Sequence, residues 1–179
     1  MLIRRRIVLC MSIVVGLIVA GAGGGANAGT RRAAVTSGTQ SKPVLMTAAA
    51  LGQYARSSRQ RIYWAGPEAG MTYEFRKTAN GRIFVRYLPT GAKAGTLIAY
   101  RTVGTYPTLH AFSVLQGQAR VTGWARVPGG THMIAVYQRT HPTSVYVAFT
   151  GSNYELEVYD PTPGAAIALV RAGRIRPIT

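Results

Sequence analysis

The sequence predicts an α+β domain, a mostly antiparallel sheet of about seven short strands with about three helices, preceded by an N-terminal hydrophobic segment. Three observations carry that expectation. Apolar residues make up 47% of the 179 residues and charged ones only 15%, a balance that buries a core. Short β-branched and aromatic runs alternate with Gly, Pro and Asn clusters along most of the chain. Segments of helical period stand at both ends and in the middle of that series, as helices do when they pack on one antiparallel sheet.

The first 42 residues read as an export segment and a tether. Arg4, Arg5 and Arg6 precede an uncharged apolar run from Ile7 to Ala20, and an Ala-x-Ala site ends at Ala28, the layout of a signal peptide. Uncharged residues continue to Ala26, roughly the length needed to span a bilayer, so a retained single-pass anchor over residues 7–26 is the alternative. Either way residues 43–179 are expected to form a single extracytoplasmic domain, secreted or anchored in the cytoplasmic membrane, with the three arginines left inside. Residues 29–42 are rich in Thr, Ser and Gly and read as a flexible linker. Cys10 is the lone cysteine and falls within the leader, which excludes a disulfide, a zinc thiolate or a cysteine nucleophile in the folded part.

Within the domain, Thr47 is placed to N-cap a helix to about Ser58, with Leu51, Tyr54 and Ala55 on one face. Strands follow at Ile62 to Ala65, Met71 to Thr78 and Ile83 to Leu88. A three-residue loop with Gly81 left-handed puts Tyr73, Phe75, Ile83, Val85 and Tyr87 on one face and sets Glu74 opposite Arg86 on the other. Pro89 to Tyr106, with three glycines, reads as an exposed connection, and Pro107 as the start of a second helix bearing Leu109, Phe112 and Leu115. Further strands are expected at Val121 to Val127, His132 to Gln138, Val145 to Thr150 and Tyr154 to Asp160. A type II′ turn with Gly151 first and Ser152 second would join the last pair. Thr162 as N-cap and Pro163 at the first position then open a third helix that Gly173 stops. Tyr63-x-Ala65 with Gly70-x-x-Tyr73-Glu74 echoes Tyr146-x-Ala148 with Gly151-x-x-Tyr154-Glu155, a pattern that two duplicated halves would leave.

The catalytic signatures of serine hydrolases, zinc proteases, phosphate loops and dinucleotide folds are missing. His110, His132 and His141 lie on different elements without a third ligand, so no metal and no cofactor is expected. Candidate binding residues are aromatic and acidic. Tyr63 and Trp64 alternate, so one should leave the core side, and Tyr146 and Tyr159 point outward beside Glu155 and Glu157. Exposed aromatics next to polar groups stack on sugars or anchor a partner. The two glutamates also admit a paired-carboxylate hydrolase, although acids two apart on one strand point the same way instead of facing each other across a bond.

Tyr63-Trp64-Ala65-Gly66-Pro67, Arg86-Tyr87-Leu88-Pro89-x-Gly91, Val103-Gly104-Thr105-Tyr106-Pro107, Val158-Tyr159-Asp160-Pro161 and Gly173-Arg174-Ile175-Arg176-Pro177 together resemble a group of exported or membrane-anchored proteins of high-GC bacteria with no assigned activity. The resemblance covers Pro43 to the C-terminus and implies a free-standing module; it implies no chemistry. Charge adds a class of partner. Lys and Arg number 21 against 5 acids, a net +16, and loss of residues 1–28 with three arginines still leaves +13. Outside the cytoplasm that excess favours an anionic envelope polymer, a lipid surface or a protein partner over nucleic acid. The expected function is a non-catalytic binding module of the cell envelope; the alternatives are a cofactor-independent cell-wall hydrolase and a membrane-tethered subunit of a larger assembly.

Overall fold

A computed structural model describes residues 41–179 of the chain. The leader and nearly all of the linker fall outside those residues. The elements in chain order are β1 (Val44–Met46), α1 (Ala48–Ser58), β2 (Tyr63–Trp64), β3 (Met71–Lys77), β4 (Ile83–Pro89), β5 (Thr102–Pro107), α2 (Ala111–Gln118), β6 (Trp124–Arg126), β7 (Met133–Gln138), β8 (Ser144–Phe149), β9 (Tyr154–Tyr159), α3 (Ala165–Arg171) and β10 (Arg176–Pro177). Eight strands form one antiparallel sheet in the order β1-β3-β4-β5-β9-β8-β7-β6, and β2 pairs with β10 in a separate ribbon. The α+β class is as expected. No helix among the described residues is long and apolar enough to cross a membrane.

The sheet has an inner face under α1 and α3 and an outer face under α2. Parity along each strand decides which side chain goes where. Tyr73, Phe75, Ile83, Val85, Tyr87, Val103, Val145, Val147, Leu156 and Val158 all project inward and join Leu51 and Ala55 of α1 and Ala166 and Val170 of α3 in one core. Burying each large side chain contributes about 1.5–3 kcal/mol. Outside, Ala111 and Leu115 of α2 cover Ile134, Val136 and Ala148, a smaller cluster confined to the β7–β8 half. Thr47 caps α1 by accepting the Ala50 N–H at 3.1 Å.

The β3–β4 hairpin has the expected register. Thr78 N–H donates to Arg82 O at 2.9 Å around a three-residue loop with Gly81 at φ +80°, and Glu74 stands opposite Arg86 with a 2.7 Å ion pair. Several other expectations need correcting. Pro89 to Tyr106 is not wholly an exposed connection: its end is β5, a central strand between β4 and β9, with Val103 and Thr105 fully buried. Six residues around a glycine give too little apolar alternation to declare a strand.

Pro107 consequently ends β5 and does not open α2, which starts at Ala111 after His110 in the left-handed region at φ 55°. The strand expected from Val121 shortens to β6, because the turn after α2 and Gly123 at φ +88° occupy its first half. Gly164, not Thr162, precedes α3, since Asp160 Oδ1 accepts the Thr162 N–H at 2.9 Å and turns the chain before the helix can begin. The β8–β9 pairing is as expected, but Ser152 N–H donates to Phe149 O at 3.0 Å, so the two central residues of that turn are Thr150 and Gly151, and Gly151 is the second of them and not the first. The internal echo aligns unlike elements, because β8 and β9 form a hairpin whereas β2 leaves the sheet.

Candidate functional site

On the outer face, β5, β8 and β9 bring four of the six sequence-predicted residues together. Tyr146 stands opposite Glu157, and Tyr159 opposite Ser144; Glu155 lies two residues before Glu157 on the same side. Glu157 accepts from Tyr106 Oη at 3.0 Å and from Ser144 Oγ at 2.9 Å, two neutral donors that hold its carboxylate in place. Burial, reinforced by the charge of Glu157, pushes the Glu155 carboxyl above the usual carboxylate range. Burial likewise raises the Tyr106 phenol, with Glu157 adding to the effect. This row offers hydrogen bonds and aromatic faces. Its two carboxylates project from one strand, so they do not face each other across a bond to be broken.

Tyr63 and Trp64 belong elsewhere. Both are core residues, 3% and 8% exposed, which corrects the expectation that one of them faces outward. The strand β2 pairs with β10 outside the main sheet, and both of its side chains join the same core. Tyr63 stacks on Phe149 with centroids 5.7 Å apart, and Trp64 meets Tyr73 edge-on at 5.6 Å. Alternation separates two faces of a sheet strand, but this strand has neighbours on both sides.

Sequence reasoning missed a second feature. An open cleft of about 760 Å³ lies at the end of the inner face, below the last turn of α1. Its charged lining residues are Arg59, Arg61 and Lys77, with Asn153 as a further polar group; Ile83, Pro107, Leu109 and Tyr154 supply apolar wall. No acid lines it. The carboxylates are committed elsewhere: Glu74 pairs with Arg86, while Glu68 and Asp160 share Arg101 at 2.5 and 2.7 Å. Among the described residues none of the three cleft cations enters an ion pair. The residues come from the α1 end, the β3–β4 hairpin, the β5–α2 connection and the β8–β9 turn, so no contiguous motif announces them. The only sequence signal is the density of Arg59 and Arg61 after the first helix.

Among the described residues no group of His, Cys, Asp or Glu could hold a metal ion. Comparison with protein-family models, curated proteins and solved structures finds no match. The functional reading therefore rests on the geometry of these two places.

Proposed function

We propose that the protein is an exported, non-catalytic binding module that takes an anionic component of the cell envelope in the cleft of Arg59, Arg61 and Lys77. The observation that carries this reading is the segregation of charge: three cations, none of them in an ion pair among the described residues, line an open cleft of about 760 Å³ that has no acid in its lining. Three like charges around one cleft repel each other, and an anion there replaces repulsion with attraction. The attraction is screened over about 8 Å at physiological salt, so binding falls as salt is raised.

The test is retention of envelope extract on the immobilised full chain at low and high salt, followed by the same measurement on Arg61→Ser/Lys77→Ser. Recovery of an anionic polymer or lipid by the parent chain and its loss in the variant support the proposal. Equal recovery by both chains rejects the cleft, and recovery of nothing anionic at low salt rejects the function.

A second reading, a cofactor-independent hydrolase acting on cell-wall material, draws support from the raised Glu155 carboxyl beside the hydrogen-bonded Glu157. The common direction of the two side chains argues against it. Release of soluble fragments from purified wall material by the full chain, abolished in Glu155→Gln, would establish it.

A further inference from the structure

The cleft carries more information than its charge. Its cations share the lining with apolar Ile83, Pro107 and Tyr154 and with Leu109, which is 73% exposed. A purely hydrophilic anion would leave this wall in contact with water. One with a hydrocarbon portion would cover it, gaining about 0.8 kcal/mol for each methylene buried.

Two further features of the same cleft are costly to the fold by itself. Arg59 ends α1 in the left-handed region, at φ 52° and ψ 26°. Glycine is the usual residue there because it has no Cβ to strain, whereas an L residue with a long side chain is disfavoured. The Arg59 N–H caps α1 by donating to Arg56 O at 3.4 Å, while its side chain stays exposed and enters no ion pair among the described residues.

Ser152 also lines the cleft, and its hydroxyl, in a residue only 9% exposed, has no hydrogen-bond partner among the described residues. The second buried hydroxyl without a partner, Thr105, is paired across β4–β5 with Ile83 of the same wall. Buried unmet hydroxyls are uncommon, and of these two it is Ser152 that lies in the cleft lining, where a ligand could supply its partner.

Resting on the proposed anion-binding function, we infer that the ligand is an amphiphilic oxyanion, a phosphate-type head held by Arg59, Arg61 and Lys77 with an alkyl portion along Pro107, Leu109 and Tyr154. The alkyl portion distinguishes it from free phosphate and from a hydrophilic polyanion. The head distinguishes it from neutral lipid. Arg59 is then a binding residue placed at a strained position for what it reaches.

The experiment is calorimetric titration of the full chain with octyl phosphate below its micelle concentration, inorganic phosphate and octyl glucoside. Octyl phosphate is expected to bind at least about tenfold tighter than either of the others. Arg59→Gly is expected to weaken octyl phosphate at least about fivefold with an unchanged or higher melting temperature, since glycine relieves the strain. Leu109→Ser is expected to narrow the gap between octyl phosphate and inorganic phosphate.

Equal affinity for the two phosphates overturns the amphiphile while leaving anion binding intact. Failure of every phosphate to bind overturns both readings. Equal binding of octyl glucoside overturns the need for a charged head. Octyl phosphate binding that Arg59→Gly and Leu109→Ser both leave unchanged places the ligand elsewhere and overturns the site. Should Arg59→Gly lower the melting temperature, Arg61→Ser/Lys77→Ser provides the same test of the head-group contacts.

Discussion

The ring of Tyr106 folds back over Gly104 of its own strand: a Cβ built on Gly104 would lie 2.8 Å from Tyr106 Cε2 and 3.0 Å from its hydroxyl. Gly104 is central in the sheet, opposite Phe84 of β4 and Glu157 of β9. The missing side chain is what lets the tyrosine lie across the outer face and donate to Glu157. Gly104→Ala is therefore expected to destabilise the protein by about 1–3 kcal/mol through overpacking. The new methyl forces the ring off Glu157, so Tyr106→Phe introduced on top of Gly104→Ala should cost less than Tyr106→Phe alone. Urea unfolding of the four proteins measures both effects, and additive losses would contradict the linkage.

Tyr87 and Tyr106 should resist ionisation in the folded state. Burial is the largest cause at both, and it pushes each phenol above its ordinary value. Tyr87 Oη also accepts from Ala65 N–H at 2.6 Å and donates to Gly66 O at 3.1 Å. A group whose folded-state pKa is raised retains a proton that the unfolded chain gives up. Stability is then complete below the ordinary tyrosine range and falls as pH rises above about 10. Tyrosinate absorbance followed against pH should show a component that ionises only as the fold is lost, and Tyr106→Phe should make that component smaller.

What could be read in advance follows from which physical rule acts locally. The Glu74–Arg86 pair and the inward set of β3 and β4 were legible because strand parity and one left-handed glycine fix a hairpin register completely. Tyr146, Glu155, Glu157 and Tyr159 shared a face for the same reason. Tyr63 and Trp64 were misplaced because alternation does not reveal that a two-residue strand is covered from both directions. Tyr106 and Ser144, which hold Glu157, escaped notice because β5 is short, carries Gly104 at its centre and finds its neighbours in β4 and β9, the latter some fifty positions away. The basic cleft is assembled from four distant segments, so only the folded chain brings Lys77 near Arg59 and Arg61.

Arg101 ties the loop before β3 to the end of β9. Its Nη1 donates to Glu68 and its Nε to Asp160, and the guanidinium lies over the Tyr87 ring at 5.6 Å. Burial opposes its charge, but the hydrogen bonds it donates to the two acids raise its pKa above the ordinary value. Asp160 is the more deeply buried acid and also accepts from Thr162 N–H. Removing one partner from a buried pair costs about 3–5 kcal/mol, and a partly exposed one much less. Asp160→Asn should accordingly destabilise by about 2–3 kcal/mol and Glu68→Gln by less than about 1 kcal/mol. Denaturant melts of the two single variants check the order, and an equal or reversed order would show that burial does not set the strength of this pair.

Glu155 sets a pH dependence of opposite origin to that of an ordinary ion-paired acid. Its carboxyl is pushed up by burial and then by Glu157, so the folded chain holds a proton that the unfolded chain releases near pH 4.3, the ordinary glutamate value. Stability from this group is present below that value and lost as pH rises through the raised folded-state pKa. The carboxylate form is opposed by burial and by the like charge of Glu157 two residues away. Glu155→Gln keeps the shape and removes the ionisable group, so it should raise the melting temperature at pH 7 relative to the parent chain. At pH 4, where most of the Glu155 carboxyls are neutral in both states, the substitution should change little. Thermal melts of the two proteins from pH 4 to 8 give the comparison. A difference that stays constant across that range would mean the gain comes from packing of the amide and not from removal of the half-buried charge.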